Sequence, residues 1–144
     1  MMNQTVRNGS LIAFLVILLD QATKFLVTET HSLGFVSLTP VQNTGGALGL
    51  FQGANTVFII LSLLILGVLV AIRDEIKPTW TVYALIGAGI GNIIDRILFG
   101  HVRDFISIGA FPVFNVADAV ITTCAVVILL YEFQNSSKSW TSSK

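Results

Sequence analysis

The sequence predicts an all-α membrane protein: four transmembrane helices with a small extracytoplasmic β unit between helices one and two. Three observations predict it. First, 53% of the 144 residues are hydrophobic, only 11% are charged, and the mean hydropathy is +0.81. A soluble domain carries about 25% charged residues, and a core of this size cannot hide so much apolar surface from water. Second, the apolar residues fall into four runs near the length of about 20 that a membrane helix needs. They span Ser10–Val27, Asn55–Ile72, Thr79–Phe99 and Asn115–Phe133. Third, Arg7, Arg73, Lys77, Lys138 and Lys144 lie at the N-terminus, the second connection and the C-terminus. With four spans these places share one side, which the positive-inside rule makes cytoplasmic.

The first run is preceded by Arg7 and could be read as a secretory signal. Asp20 and Lys24 interrupt the place for a cleavage site, and no Ala-x-Ala follows, so it reads as a retained helix. Asp20 and Lys24 stand at i and i+4, hence on one face, and can form an internal ion pair. The connection 28–54 is long. His31–Thr39 alternates weakly, and Gly45, Gly46, Gly49 and Gly53 suit turns or close backbone approaches, which predicts the outer β unit. The second run carries no charge.

The third run holds Asn92, Asp95 and Arg96 in its outer half, where Asn92 and Arg96 form a polar stripe. In lipid such a stripe faces protein or a cavity. Asp95, about 100° around the helix from Arg96, need not face the same way. The preceding Gly87-Ala88-Gly89-Ile90-Gly91 lies within the span and reads as small-residue helix packing, not as a nucleotide loop. Asn115 and Asp118 open the fourth run like a capping box. The Ser/Lys stretch after Gln134 reads as a flexible tail, with 138–144 beyond the membrane domain.

Asp104 and Asp118 stand fourteen positions apart, each among apolar residues, at the outer ends of helices three and four. A carboxylate there costs several kcal/mol unless it is partnered or neutralised. Antiparallel helices bring both ends together, and Gly109 and Pro112 suit the turn between them. Two close carboxyl groups share one proton and titrate as a unit. Such a pair activates a water and then protonates a leaving amine, the chemistry of aspartic proteases. Arg103, in the connection, reads as replaceable by water, so Arg96→Ala is expected to do more harm than Arg103→Ala.

The zero net charge argues against a nucleic-acid partner. The single Cys124 excludes an internal disulfide, and His31 and His101 lack partners at metal-ligand spacing, so no metal is assigned.

These segments resemble those of the lipoprotein signal peptidases, or type II signal peptidases, over nearly the whole chain. Asp20-Gln21-Ala22-Thr23-Lys24, Asn43-Thr44-Gly45-Gly46-Ala47 and Gly91-Asn92-Ile93-Ile94-Asp95-Arg96 are similar to three of the family's motifs. Val102–Ile106 and Phe114–Asp118 are similar to the two segments bearing its catalytic aspartates. The resemblance implies Asp104 and Asp118 as the dyad. Asn43, Asn92, Arg96 and Asn115 would line the site, supported by Asp20 and Lys24. It implies cleavage just before a diacylglyceryl-cysteine in lipid-modified prolipoproteins, at the outer face of the bacterial cytoplasmic (inner) membrane. Membrane lipids and cyclic-peptide inhibitors of the globomycin type are the further partners implied; no metal or cofactor is. The chain departs from the family at Gly46, Leu48 and Gln42, and its Asp104-to-Asp118 connection is short.

The alternatives are a small proton-coupled transporter or channel subunit, and a purely structural assembly module. Intramembrane ionisable residues also mark ion paths, but here they gather in one leaflet, and a structural module leaves the two aspartates unexplained.

Overall fold

The computed structural model describes residues 3–46 and 51–142. Its elements in chain order are α1 (Gln4–Leu26), β1 (His31–Leu33), β2 (Val36–Asn43), α2 (Asn55–Ala71), α3 (Trp80–Phe99), β3 (Val102–Ile108) and α4 (Val116–Ser142).

Helix α1 begins six residues before the apolar run, because the Asn3 side chain caps it by accepting the Thr5 N–H. Helix α3 is the centre of the bundle, with α1, α2 and α4 all packed on it. Its glycines explain the close fit. A Cβ at Gly87 would lie 2.5 Å from the carbonyl oxygen of Ala13 on α1, so only glycine lets the two backbones approach this far. The helix stops at Gly100, whose φ of 75° is left-handed and whose N–H closes the last turn onto the Arg96 carbonyl.

The strands form one antiparallel sheet in the order β1-β2-β3. Sequence analysis expected the β unit between helices one and two alone; β3 completes it from beyond α3. The β2–β3 register pairs Val41 with Asp104 and Asn43 with Val102 and slips between Leu38 and Val41. Pro40 lies in the slip and has no N–H to give the ladder.

Among the described residues, α1, α3 and residues Val116–Ser136 of α4 are long and apolar enough to cross a membrane. Helix α2 is as apolar but has 17 residues. The flexible tail expected after Gln134 is instead helix as far as Ser142. That stretch has no Gly or Pro to break a helix already nucleated in the apolar run; Ser143 and Lys144 lie outside the described residues, as does Leu48.

Candidate active site

Three chain segments converge at the sheet end of α3. Strand β3 supplies Asp104, the first turn of α4 supplies Asn115 and Asp118, and α3 supplies Asn92 and Arg96. The start of α4 is a reciprocal cap. The Asp118 N–H donates to Asn115 Oδ1 at 2.9 Å, and the Asn115 N–H donates to Asp118 Oδ2 at 3.3 Å. The cap does more than end a helix, because the same Asn115 amide donates to Asp104 Oδ1 at 2.7 Å and to Asn92 Oδ1 at 3.1 Å. Asn92 in turn donates to Asp118 Oδ1 at 3.0 Å. Asn43, at the end of β2, donates to Asp104 Oδ2 at 2.9 Å. Two carboxyl groups are thus joined through two asparagines, and both border a cavity of about 900 Å³ that Asn43, Asn92 and Arg96 also line.

Asp104 is 2% exposed. Burial pushes its carboxyl up from 3.8 to about 6, helped by the charge of Asp118 and opposed by the bonds from Asn43 and Asn115 and the charge of Lys24.

Asp20 and Lys24 form the expected i, i+4 pair, at 2.8 Å with both side chains fully buried. Each also reaches out of α1. Asp20 Oδ1 accepts the Ala117 N–H at the start of α4, and Lys24 donates to Asn92 Oδ1 at 2.9 Å. A carboxylate at a helix N-terminus is favoured by the backbone dipoles there.

Asp95, which by periodicity need not face the site, does not line the cavity. It is 0% exposed and pairs with Lys24 at 3.3 Å and with Arg103 at 2.8 Å. One expectation needs correction: Arg103 is not a solvated connection residue. Strand β3 starts two residues after Gly100 and folds back along the last turn of α3, which lays the Arg103 guanidinium 4.4 Å over the Phe99 ring and onto Asp95. Arg96 lies where expected, but its guanidinium is engaged. It donates to the Gly45 carbonyl at 2.8 Å and to Asn55 Oδ1 at 3.3 Å, and sits 4.8 Å over the Phe58 ring. Gln21, Asn55 and Phe58 had no role assigned from sequence; Gln21 stood in plain view beside Asp20, whereas Asn55 read only as a helix boundary.

The charges of this region nearly balance. Asp20, Asp95, Asp104 and Asp118 face Lys24, Arg96 and Arg103. Four acids thus stand against three bases in a buried region, where unpaired charge is costly. All buried side-chain nitrogens and oxygens among the described residues have a partner.

The family model described as signal peptidase (SPase) II matches residues 12–134. The chain belongs to the signal peptidase II family. A lipoprotein signal peptidase of Thermodesulfovibrio yellowstonii is 39% identical, over 90% of this chain and 95% of its own length. One from Staphylococcus aureus strain JH9 is 33% identical, over 88% of each chain. A solved bacterial membrane enzyme superposes with a TM-score of 0.83 at 30% identity, covering 92% of each chain. As a member of the signal peptidase II family, the protein is a membrane peptidase of the aspartic type.

Proposed function

We propose that this protein removes signal peptides from diacylglyceryl-modified prolipoproteins, cutting just before the modified cysteine, with Asp104 and Asp118 as the catalytic dyad. The observation that carries the reading is the pair of carboxyl groups tied together by Asn115 and Asn92 on the wall of one cavity. One carboxylate takes a proton from water, whose oxygen adds to the scissile carbonyl carbon. The carboxyl group still holding a proton passes it to the carbonyl oxygen. Collapse of the tetrahedral adduct breaks the C–N bond, and a proton from the dyad goes to the leaving amine. Each aspartate needs the asparagine N–H donors in place while its own charge changes, which is why the bridging amides matter as much as the acids.

Substrate geometry fits the cavity. A signal helix with acyl chains arrives within the lipid. The cavity is bordered by Phe58 of α2 and by Ala119, Ile121, Thr122 and Thr123 of α4. Entry between these helices would bring lipid and peptide in sideways. Burying acyl chains supplies roughly 0.8 kcal/mol per CH₂ for positioning the scissile bond.

The sheet supports a fourth span. Strands β2 and β3 pair, which favours having the connections before α2 and after α3 on one side. With α3 long enough to cross, α2 would carry the chain back across, and its 17 residues lie at the lower end of spanning lengths, about 17 to 25. The distribution of basic residues then supports cytoplasmic termini, with the sheet and the dyad at the outer face of the inner membrane. A cysteine at Glu75, in a background lacking Cys124, should label only from inside; labelling from outside would reverse the orientation. Family membership also supports binding of globomycin-type cyclic peptides. A transporter reading is less favoured, since α2 carries no charge and the buried charged side chains of α1 and α3 cluster at one end of each.

The test is cleavage by the purified protein. A precursor carrying diacylglyceryl on its cysteine should be cut, the unmodified precursor should not, and chelators should change neither result. Equal cutting of both precursors would remove the lipid from the recognition, and cutting of neither would remove the peptidase reading.

A further inference from the structure

Strand β3 is an edge strand of the sheet, and it carries Asp104. One edge is paired with β2. On the other edge, alternate N–H groups point outward and need acceptors. The Phe105 N–H finds the Phe114 carbonyl at 3.0 Å. The Arg103 N–H has no neighbouring strand; it donates to Asp95 Oδ2 at 2.9 Å. A carboxylate on α3 thus replaces the first hydrogen bond of a missing strand. Asp104 lies between these two anchored positions.

The grip is more than one bond. The Arg103 guanidinium returns to the same carboxylate, donating to Oδ1 at 2.8 Å and to Oδ2 at 3.3 Å. It also donates to Gln21 Oε1 at 2.9 Å, while Gln21 Nε2 donates to Asp95 Oδ1 at 3.1 Å. Lys24 neutralises the carboxylate from the other side at 3.3 Å. None of these groups borders the cavity that holds the two carboxyl groups. One carboxylate held by two cations and an amide, away from the cavity, suits a fixed mount.

We propose that Asp95 is a positioning residue: by gripping both the backbone N–H and the guanidinium of Arg103, it fixes β3 against α3 and so sets where Asp104 meets Asp118. This rests on the dyad reading above for its consequence, though not for its geometry. A displacement of about 1 Å at a reacting group can cost about 100-fold in rate. The clamp therefore acts on the chemical step and leaves substrate binding alone.

Two measurements test it. The first is steady-state cleavage of a diacylglyceryl-modified precursor by Arg103→Met, Arg103→Lys, Asp95→Asn and the Asp95→Asn/Arg103→Met double variant. Arg103→Met should lower kcat by roughly 10- to 100-fold with KM within about twofold. Arg103→Lys should recover most of the loss, because an ammonium still pairs with Asp95. The double variant should be no worse than the worse single one. Wild-type kcat in Arg103→Met, or a raised KM at unchanged kcat, overturns the proposal; the latter would make Arg103 a substrate contact. The second measurement is amide hydrogen exchange, which needs no activity. In Arg103→Met, whose side chain is 25% exposed in the native protein and can be lost without emptying the core, exchange at residues 103–105 should quicken while α3 stays protected. Unchanged exchange there overturns the clamp even if Asp95→Asn fails to fold. A wild-type protein that cuts no precursor would count against the peptidase reading, and the exchange result would still decide the clamp.

Discussion

Helices α2 and α3 follow one another in the chain, are both strongly apolar, and sit in opposite situations. Ten of the 20 residues of α3 are buried, and none of the 17 of α2 is. Helix α2 has only Val, Ile, Leu, Phe and a few small or polar side chains, and it leaves them unburied. Helix α3 has glycines, Asn92, Asp95 and Arg96, and it occupies the centre. The lesson concerns the solvent. In water the more apolar helix goes inside; in a bilayer, lipid solvates leucine as well as protein does, so burial selects small residues that pack and polar residues that need partners.

The contrast breaks most readily at the glycines. Gly87→Val should abolish the folded protein, because its Cβ would already overlap the α1 backbone at Ala13. Backbone cannot swing aside as a side-chain tip can, so the cost exceeds the about 1–3 kcal/mol usual for overpacking. Loss of monodisperse protein in detergent is the measurement. A well-folded Gly87→Val protein would show that α1 and α3 are not held as close as described.

Next is the polar lining of α3. Lys24→Met should destabilise by about 3–5 kcal/mol, since it leaves Asp20 and Asp95 without their shared buried cation. Thermal unfolding in detergent reads this directly. Lys24→Arg should restore only part of the loss, because the fork is larger than the slot an ammonium fills.

The third effect is a pH slope, and it belongs to the site and not to α2, which has no ionisable group. Asp104 has its carboxyl raised from 3.8 to about 6. The folded state therefore binds the proton more tightly than the unfolded state. The stability it contributes is present below about pH 4 and is lost as pH rises through about 6. The Tm of the wild type relative to Asp104→Asn should fall across that window and be flat above it. A rise across the window would mean a lowered carboxyl and a wrong account of its burial.

The smallest effect lies on α2. A Cβ at Gly67 would meet nothing within 4 Å. Gly67→Ala should leave activity intact and change stability by no more than about 1 kcal/mol, in the favourable direction expected of alanine in a helix. A loss as large as that of Gly87→Val would erase the distinction between the two helices.

Much of this was legible in the residues themselves. Local signals read correctly: the i, i+4 pair of Asp20 and Lys24, the capping box of Asn115 and Asp118, and the apolar runs. Each depends on neighbours within one or two helical turns. The pairing of β2 with β3 was not legible, because it joins segments about sixty positions apart across two helices, and no short-range pattern announces such a partner. The partners of Asp95 were not legible for a different reason. Helical periodicity turns it away from Arg96 but does not identify what covers the other face. Contacts from Lys24 of α1 and Arg103 of β3 cover it, so a residue off the cavity is still buried. Periodicity gives direction around a helix and says nothing of what waits there.

The central claim is that Asp104 and Asp118 act as one catalytic unit, and their conservative replacement tests it most directly. Asparagine keeps the size and one acceptor oxygen of each aspartate but cannot exchange a proton as a carboxyl group does. Precursor cleavage should be measured for Asp104→Asn, Asp118→Asn and the double variant, each shown to be folded in detergent. The account predicts that either single change abolishes cleavage and that the double variant is hardly worse, since residues acting as a unit are far from additive. Substantial turnover by either folded single variant would contradict it.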